Sequence, residues 1–159
     1  MRGLPQDNTK TTINLCMKED SEKAGEQAVL INLPKFEDPR GNLSFVEQQK
    51  HIPFKIERTY WIYDVPGGET RGGHAFKEQQ EFIIALSGSF DVVVDDGSTK
   101  QLFSLNRSYY GLYIPHGFWR QMQNFSTNSL ALVLSSTHYN ANDYIYDYNN
   151  FIAHKSNEE

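Results

Sequence analysis

The chain has 159 residues, of which 38% are hydrophobic and 13% aromatic, and its formal net charge is −5. That length suits one domain with a sizeable core. The acidic balance argues against a nucleic-acid binder, which shows a basic face or an excess of Lys and Arg, and no apolar run approaches the roughly 20 residues a spanning helix needs, so no membrane attachment is expected.

Residues 1–27 are polar and weakly patterned, and read as an arm with a short strand at Thr11–Leu15. Their start, Met1 to Asp7, lacks the apolar centre of a signal peptide. Cys16 is the only cysteine, so no internal disulfide can form, and a reducing, cytoplasmic setting is expected. From Ala28 strand signals become dense, and 28–155 reads as a single domain. Val29–Leu33 is a predicted strand. Glu37–Asn42, with Pro39 and Gly41, is a turn, because Pro presets φ and Gly accepts φ > 0. Leu43–Glu47 alternates apolar and polar residues, as a half-buried strand does. Ile56–Val65 follows and ends at Pro66-Gly67-Gly68.

Further strands are predicted over Glu81–Leu86, Phe90–Val94, Gln101–Leu105, Gly111–Pro115 and Leu130–Ser135. Asp95-Asp96-Gly97 between two of them is a hairpin signal. The Tyr- and Asn-rich tail holds one predicted short helix, Asn142–Tyr148. Many short strands with tight turns imply an all-β sandwich or barrel. No phosphate-cradling Gly loop, nucleophile elbow or fixed-period repeat is present.

One stretch carries a more specific pattern. Gly68, His74, Glu81 and Gly88 match the first cupin motif, in which a Gly is followed by His-x-His, a Glu and a Gly; Phe76 stands at the second His. Pro115, Gly117 and Asn124 match the second motif, with Arg120 at its His position. The chain thus resembles the cupins, which implies a jelly-roll barrel (a double-stranded β-helix), here with a short C-terminal helix. In metal-binding cupins the four marked positions hold a metal. Phe has no lone pair and Arg is a permanent cation, so no metal is expected at this site. His116, close to Arg120, is read as a turn residue.

A narrower resemblance runs from about Val29 to Phe151. Its marks are Asp38-Pro39-Arg40-Gly41-Asn42-Leu43, the run Ile52 to Tyr60, Arg71-Gly72-Gly73-His74-Ala75, Gly88-Ser89, Asp95-Asp96-Gly97, Gly111 to Ile114 and Asp143-Tyr144-Ile145. Together these resemble the nucleotide-sugar 3,4-ketoisomerases of the FdtA/QdtA type, also called WxcM-like. The resemblance implies a reaction needing no cofactor, in which a histidine removes the C3 proton of a dTDP-linked 4-keto-6-deoxyhexose and a proton returns at C4, in deoxysugar and polysaccharide biosynthesis. It also implies a homodimer with exchanged N-terminal strands. A base with a pKa near neutrality suits a proton acidified by the adjacent carbonyl.

On this reading His74 is the acid/base and Tyr60 lines the sugar or relays a proton. Arg71 and Arg120 steady an oxyanion or phosphates. Tyr113 joins Tyr60 in the pocket, and Arg40 either caps its turn or enters the site. Glu81, if it points into the barrel, needs a donor, and Arg120 is the natural one. The tail tyrosines Tyr144, Tyr146 and Tyr148 are read as packing on the barrel or a second subunit. Phe76 leaves an alternative open: a sugar-nucleotide-binding cupin that has lost the second histidine and its chemistry.

Overall fold

Strict alternation decides which way the central strands face. In Glu81–Ser87, Ile83 and Ala85 turn to one side, Phe82 and Ile84 to the other, and all four are buried. Such a strand needs apolar cover on both faces. In the computed structural model, which describes residues 26–157, both faces are covered.

The strands in chain order are β1 (Val29–Asn32), β2 (Lys35–Phe36), β3 (Leu43–Ser44), β4 (Arg58–Ile62), β5 (Arg71–Phe76), β6 (Glu81–Ser87), β7 (Phe90–Asp95), β8 (Lys100–Leu105), β9 (Tyr110–Ile114), β10 (Trp119–Gln123) and β11 (Leu130–Ser135). A 3₁₀ turn at Ala141–Asp143, β12 (Tyr144–Ile145) and the helix α1 (Tyr148–Ser156) follow. One antiparallel sheet has the order β1-β9-β6-β11-β4, and a second has β12-β5-β10-β7-β8. This is the all-β jelly-roll architecture with a short C-terminal helix that the sequence implies.

The inner faces of the two sheets meet in one core. Ile83 and Ala85 of β6, Leu112 and Ile114 of β9, and Ala131 and Val133 of β11 pack with Val92 and Val94 of β7 and Met122 of β10. The outer face of the first sheet is covered by Ile52 and Phe54 from the segment between β3 and β4, with Ile31 and Leu33. The outer face of the second sheet is closed by Phe151 of α1 against Ala75 and Ile145.

Several boundaries differ from the predicted ones. Leu43–Glu47 forms only the two-residue β3, which pairs with β2 alone. This hairpin stands apart from both five-stranded sheets and leaves Phe36 60% and Leu43 57% exposed. β5 and β10 are not predicted as strands, because their inward faces carry glycine, His74 and Arg120 in place of an apolar stripe. The helix is not at Asn142–Tyr148: Tyr144 and Ile145 pair with Phe76 and Ala75 of β5, and α1 starts only after Asp147, whose side chain accepts from the Asn150 backbone N–H at 2.9 Å. The strand predicted at Thr11–Leu15 lies outside the described residues. Among the described residues, no helix is long and apolar enough to cross a membrane.

Gly111 of β9 shows how tightly the first sheet is packed. A Cβ there would lie 2.5 Å from Cζ of Phe82 and 2.7 Å from the carbonyl oxygen of Ile83. Overpacking of this kind typically costs about 1–3 kcal/mol. Gly111→Ala is therefore expected to lower the thermal midpoint by several degrees, read by calorimetry against wild type. An unchanged midpoint would show that β6 and β9 separate more easily than this packing implies.

Candidate active site

β4 and β12 are the outermost strands of the two sheets, and a cavity of about 440 Å³ opens where they approach each other. Side chains on a strand alternate between faces. That period turns Arg58, Tyr60 and Ile62 of β4 toward the cavity. Arg120 of β10 stands opposite His74 of β5 in the ladder, so both point inward together. Arg71, Gly72 and Tyr144 complete the wall.

At the base lies a buried charged group of three. Arg120 Nε donates to Oε2 of Glu81 at 2.8 Å and Nη2 to Oε1 at 3.0 Å, with both side chains 2% exposed. Nη2 also donates to the Tyr60 hydroxyl at 3.0 Å, which itself donates to Glu81 Oε1 at 2.5 Å. Gln79 Nε2 adds a third donor to Oε1, at 3.1 Å. Burial pushes the Glu81 carboxyl up, but the charge and hydrogen bonds of Arg120 outweigh it and hold the group below its ordinary range. Burial and the Glu81 charge push the Tyr60 phenol up, so it stays protonated. Arg120 Nη1 has no oxygen partner; Met122 Sδ is 3.7 Å away. Gly72, at φ +69°, makes room for it: a Cβ there would lie 2.0 Å from Nη1.

His74 sits above this group, nearly buried. Its ring lies 4.8 Å from that of Phe76 and 5.1 Å from that of Tyr144. Among the described residues, Nε2 is buried without a hydrogen-bond partner. Burial first, and the Arg120 charge second, push the imidazole down to about 4, against the opposing pull of Glu81. At neutral pH it is therefore an uncharged base.

The structure brings together His74, Tyr60, Glu81, Arg71 and Arg120, as the sequence implies, and Arg120 is indeed the donor to Glu81. Two expected residues are elsewhere. Tyr113 faces outward with Phe82, is 1% exposed, and donates to Gln80 Oε1 at 2.7 Å; burial pushes its phenol up to about 12. It takes no part in the cavity because Leu112 and Ile114, its neighbours in β9, take the inward positions. Arg40 lies at the exposed β2–β3 turn, where Nε donates to Asp38 Oδ1 at 2.8 Å, and it does not line the cavity. His116 lies in the turn before β10, as expected.

Sequence reasoning missed Arg58 and Tyr144. Arg58 shares the inward face of β4 with Tyr60, so period 2 was the available signal. Its Nη2 donates to Gln79 Oε1 at 2.9 Å, its guanidinium lies over the rings of Tyr60 and Tyr139, and Nε is buried without a partner among the described residues. Arg58 and Arg71 carry no ion pair among the described residues, so they are the wall's unneutralised cations.

Removing Arg120 alone leaves the Glu81 carboxylate buried and unpaired. Arg120→Met is expected to cost about 3–5 kcal/mol of stability. Adding Glu81→Gln should restore most of that loss. Urea unfolding of wild type, Arg120→Met and the double variant measures the coupling. The folded Glu81 lies below its ordinary value of 4.5, so its stabilisation is full above that pH and disappears as pH falls through the lower folded value. The double variant should therefore lose less stability in acid than wild type. Equal acid limbs would show that Glu81 is not the group being titrated.

Residues 26–156 match the family model described as "FdtA: WxcM-like, C-terminal". A TDP-4-oxo-6-deoxy-alpha-D-glucose-3,4-oxoisomerase of Aneurinibacillus thermoaerophilus is 41% identical over 122 residues, covering 77% of this chain and 88% of the relative. Among solved structures, a 3,4-ketoisomerase from Helicobacter canadensis superposes with a TM-score of 0.80 at 40% identity, over 82% of this chain and 98% of its own. QdtA, a sugar 3,4-ketoisomerase from Thermoanaerobacterium thermosaccharolyticum in complex with TDP, gives 0.81 at 32% identity, over 84% and 97%. A match of this extent shows that the chain, whose cavity keeps an inward histidine beside a buried ion pair, belongs to the FdtA, or WxcM-like, family.

Proposed function

We propose that this protein is an isomerase that moves the carbonyl of a TDP-linked 4-keto-6-deoxyhexose from C4 to C3. The observation that carries the reading is a buried His74, opposite Arg120 in the ladder, held in a cavity whose remaining charges are cationic or already neutralised. The relatives named as 3,4-ketoisomerases support the reaction class, and the TDP held by QdtA supports the nucleotide.

The groups divide by role. A 4-keto group acidifies the proton at C3, and the unprotonated imidazole of His74 is the cavity group placed to take it. The charge then gathers on the carbonyl oxygen, where a fixed guanidinium N–H is worth most. Arg120 Nη1 is the donor left over once Glu81 and Tyr60 have taken the rest of that side chain. Arg58 and Arg71, without carboxylate partners, suit the diphosphate. Both Glu81 oxygens are engaged by Arg120, with Tyr60 and Gln79 adding donors, so this carboxylate fits an ion pair better than a metal. This supports chemistry without a metal. The competing reading, a binder without catalysis, draws on Phe76, an inert ring beside the base.

The oligomer belongs to the same proposal. β2 and β3 pair only with each other and expose Phe36 and Leu43. A second copy is the partner proposed for this hairpin, in a homodimer that exchanges N-terminal strands. Light scattering at micromolar concentration should give twice the chain mass of 18.3 kDa. A monomer there would remove the dimer from the proposal.

Two measurements test the chemistry. With TDP-4-keto-6-deoxyglucose in D₂O, wild type should incorporate deuterium at ring carbons. His74→Asn should bind TDP as wild type does and lose this exchange. Arg58→Ala and Arg71→Ala should each weaken TDP binding by about ten- to a hundredfold in calorimetry, the usual loss for a charge-assisted hydrogen bond. Binding without exchange in wild type would establish the binder instead. As to pH, kcat/KM should hold constant through neutrality and fall only as pH drops toward about 4, where His74 takes a proton. A fall centred near the ordinary histidine value of 6.5 would show that the cavity does not depress the His74 imidazole as its burial implies.

A further inference from the structure

Moving a carbonyl to the neighbouring carbon requires a proton taken from C3 and a proton given to C4. Among the described residues that line the cavity, His74 is the only imidazole. Tyr60 is committed: its hydroxyl donates to Glu81 and accepts from Arg120. Phe76, on the same side of β5 as His74, has no proton to exchange.

Tyr144 is the phenol that remains. β12 pairs it with Phe76, which places it on the inward side of the second sheet. Its ring lies 5.1 Å from that of His74 and 4.6 Å from that of Phe76. Stacking on Tyr146, with centroids 5.2 Å apart and planes 13° from parallel, fixes its orientation. It lines the cavity, and its hydroxyl has no hydrogen-bond partner among the described residues. The β12 wall is itself held in place: the Asp143 carboxylate accepts from the backbone N–H groups of Glu78 at 2.8 Å and Gln79 at 3.1 Å.

We propose that Tyr144 is the second proton-transfer group, giving its phenolic proton to C4 while His74 takes the proton from C3. The assignment rests on the isomerase reading above. The C3–H bond breaks, its electron pair becomes the C3–C4 double bond, and the carbonyl π pair moves to O4; His74 is now imidazolium. The O3 proton passes to O4. The charge on O3 re-forms a carbonyl at C3, and the double-bond pair takes the Tyr144 proton at C4. The imidazolium then gives its proton to solvent, the phenolate takes one from solvent, and both groups end as they began.

The test compares wild type with Tyr144→Phe, which keeps the ring and its packing, in D₂O with TDP-4-keto-6-deoxyglucose. In Tyr144→Phe, deuterium should still enter C3 of recovered 4-keto substrate, because His74 still forms the enediolate. The 3-keto product should form at least about a hundredfold more slowly, the usual loss for a general acid. TDP affinity should be unchanged. Product formation within tenfold of wild type, or exchange and product falling together, overturns the assignment. A second measurement uses wild type alone with substrate deuterated at C3 in ordinary water. Product carrying no deuterium at C4 is expected from two groups, and substantial transfer to C4 would show one group doing both steps and overturn it. Wild type that binds TDP but neither exchanges nor isomerises refutes the isomerase reading, and the assignment with it. Active wild type with an equally active Tyr144→Phe refutes the assignment alone.

Discussion

The buried pair of Glu81 and Arg120 is the constraint from which the rest of the site follows. A guanidinium and a carboxylate taken out of water are unfavourable unless their donors and acceptors are nearly all met. Here they are met from three strands and the flank of one: Glu81 on β6, Arg120 on β10, Tyr60 on β4 and Gln79 just before β6. The pair therefore ties the two sheets together at the open end of the barrel. It also sets the electrostatics above it. The Arg120 charge helps keep His74 unprotonated, and the Glu81 charge helps keep Tyr60 a phenol. Replacing the ion pair by two apolar residues would leave a core and remove both charges, while burial, the larger cause of each shift, would stay.

Gly72 belongs to the same logic. Its backbone at φ +69° and its missing side chain admit a guanidinium where any other residue would collide. A buried arginine in a small barrel thus needs a partner for its charge and also a gap in the opposite strand for its bulk. The start of β5, Arg71-Gly72-Gly73, supplies that gap while Arg71 lines the cavity.

Sequence alone made the apolar strands legible and obscured those that carry the chemistry. β6, β7 and β11 alternate or run continuously apolar, and were placed almost to the residue. β5 and β10 were not, because a strand whose inward face holds glycine, histidine and arginine gives no hydrophobic period. The motif spacing of His74, Glu81 and Arg120 recovered the site by a different route. Tyr113 was misplaced because β9 is apolar on both faces, so its parity could not be read until the cover over the outer face was known. Tyr144 was missed because β12 pairs over two residues only, too short for any pattern.

The wall formed by β12 is bracketed. Asp143 fastens one end to the backbone of Glu78 and Gln79, and the Phe151 face of α1 fastens the other through Ile145. A ligand entering the cavity therefore meets a surface already ordered. Little of its interaction is diverted into freezing chain segments, a drain that weakens many binding sites built from tails. The heat-capacity change on binding should then report the ligand's own buried surface and little folding, and the rise in melting temperature should follow affinity and concentration alone. In this sense the short C-terminal helix acts at a distance from the sugar, by making rigidity a property of the empty site.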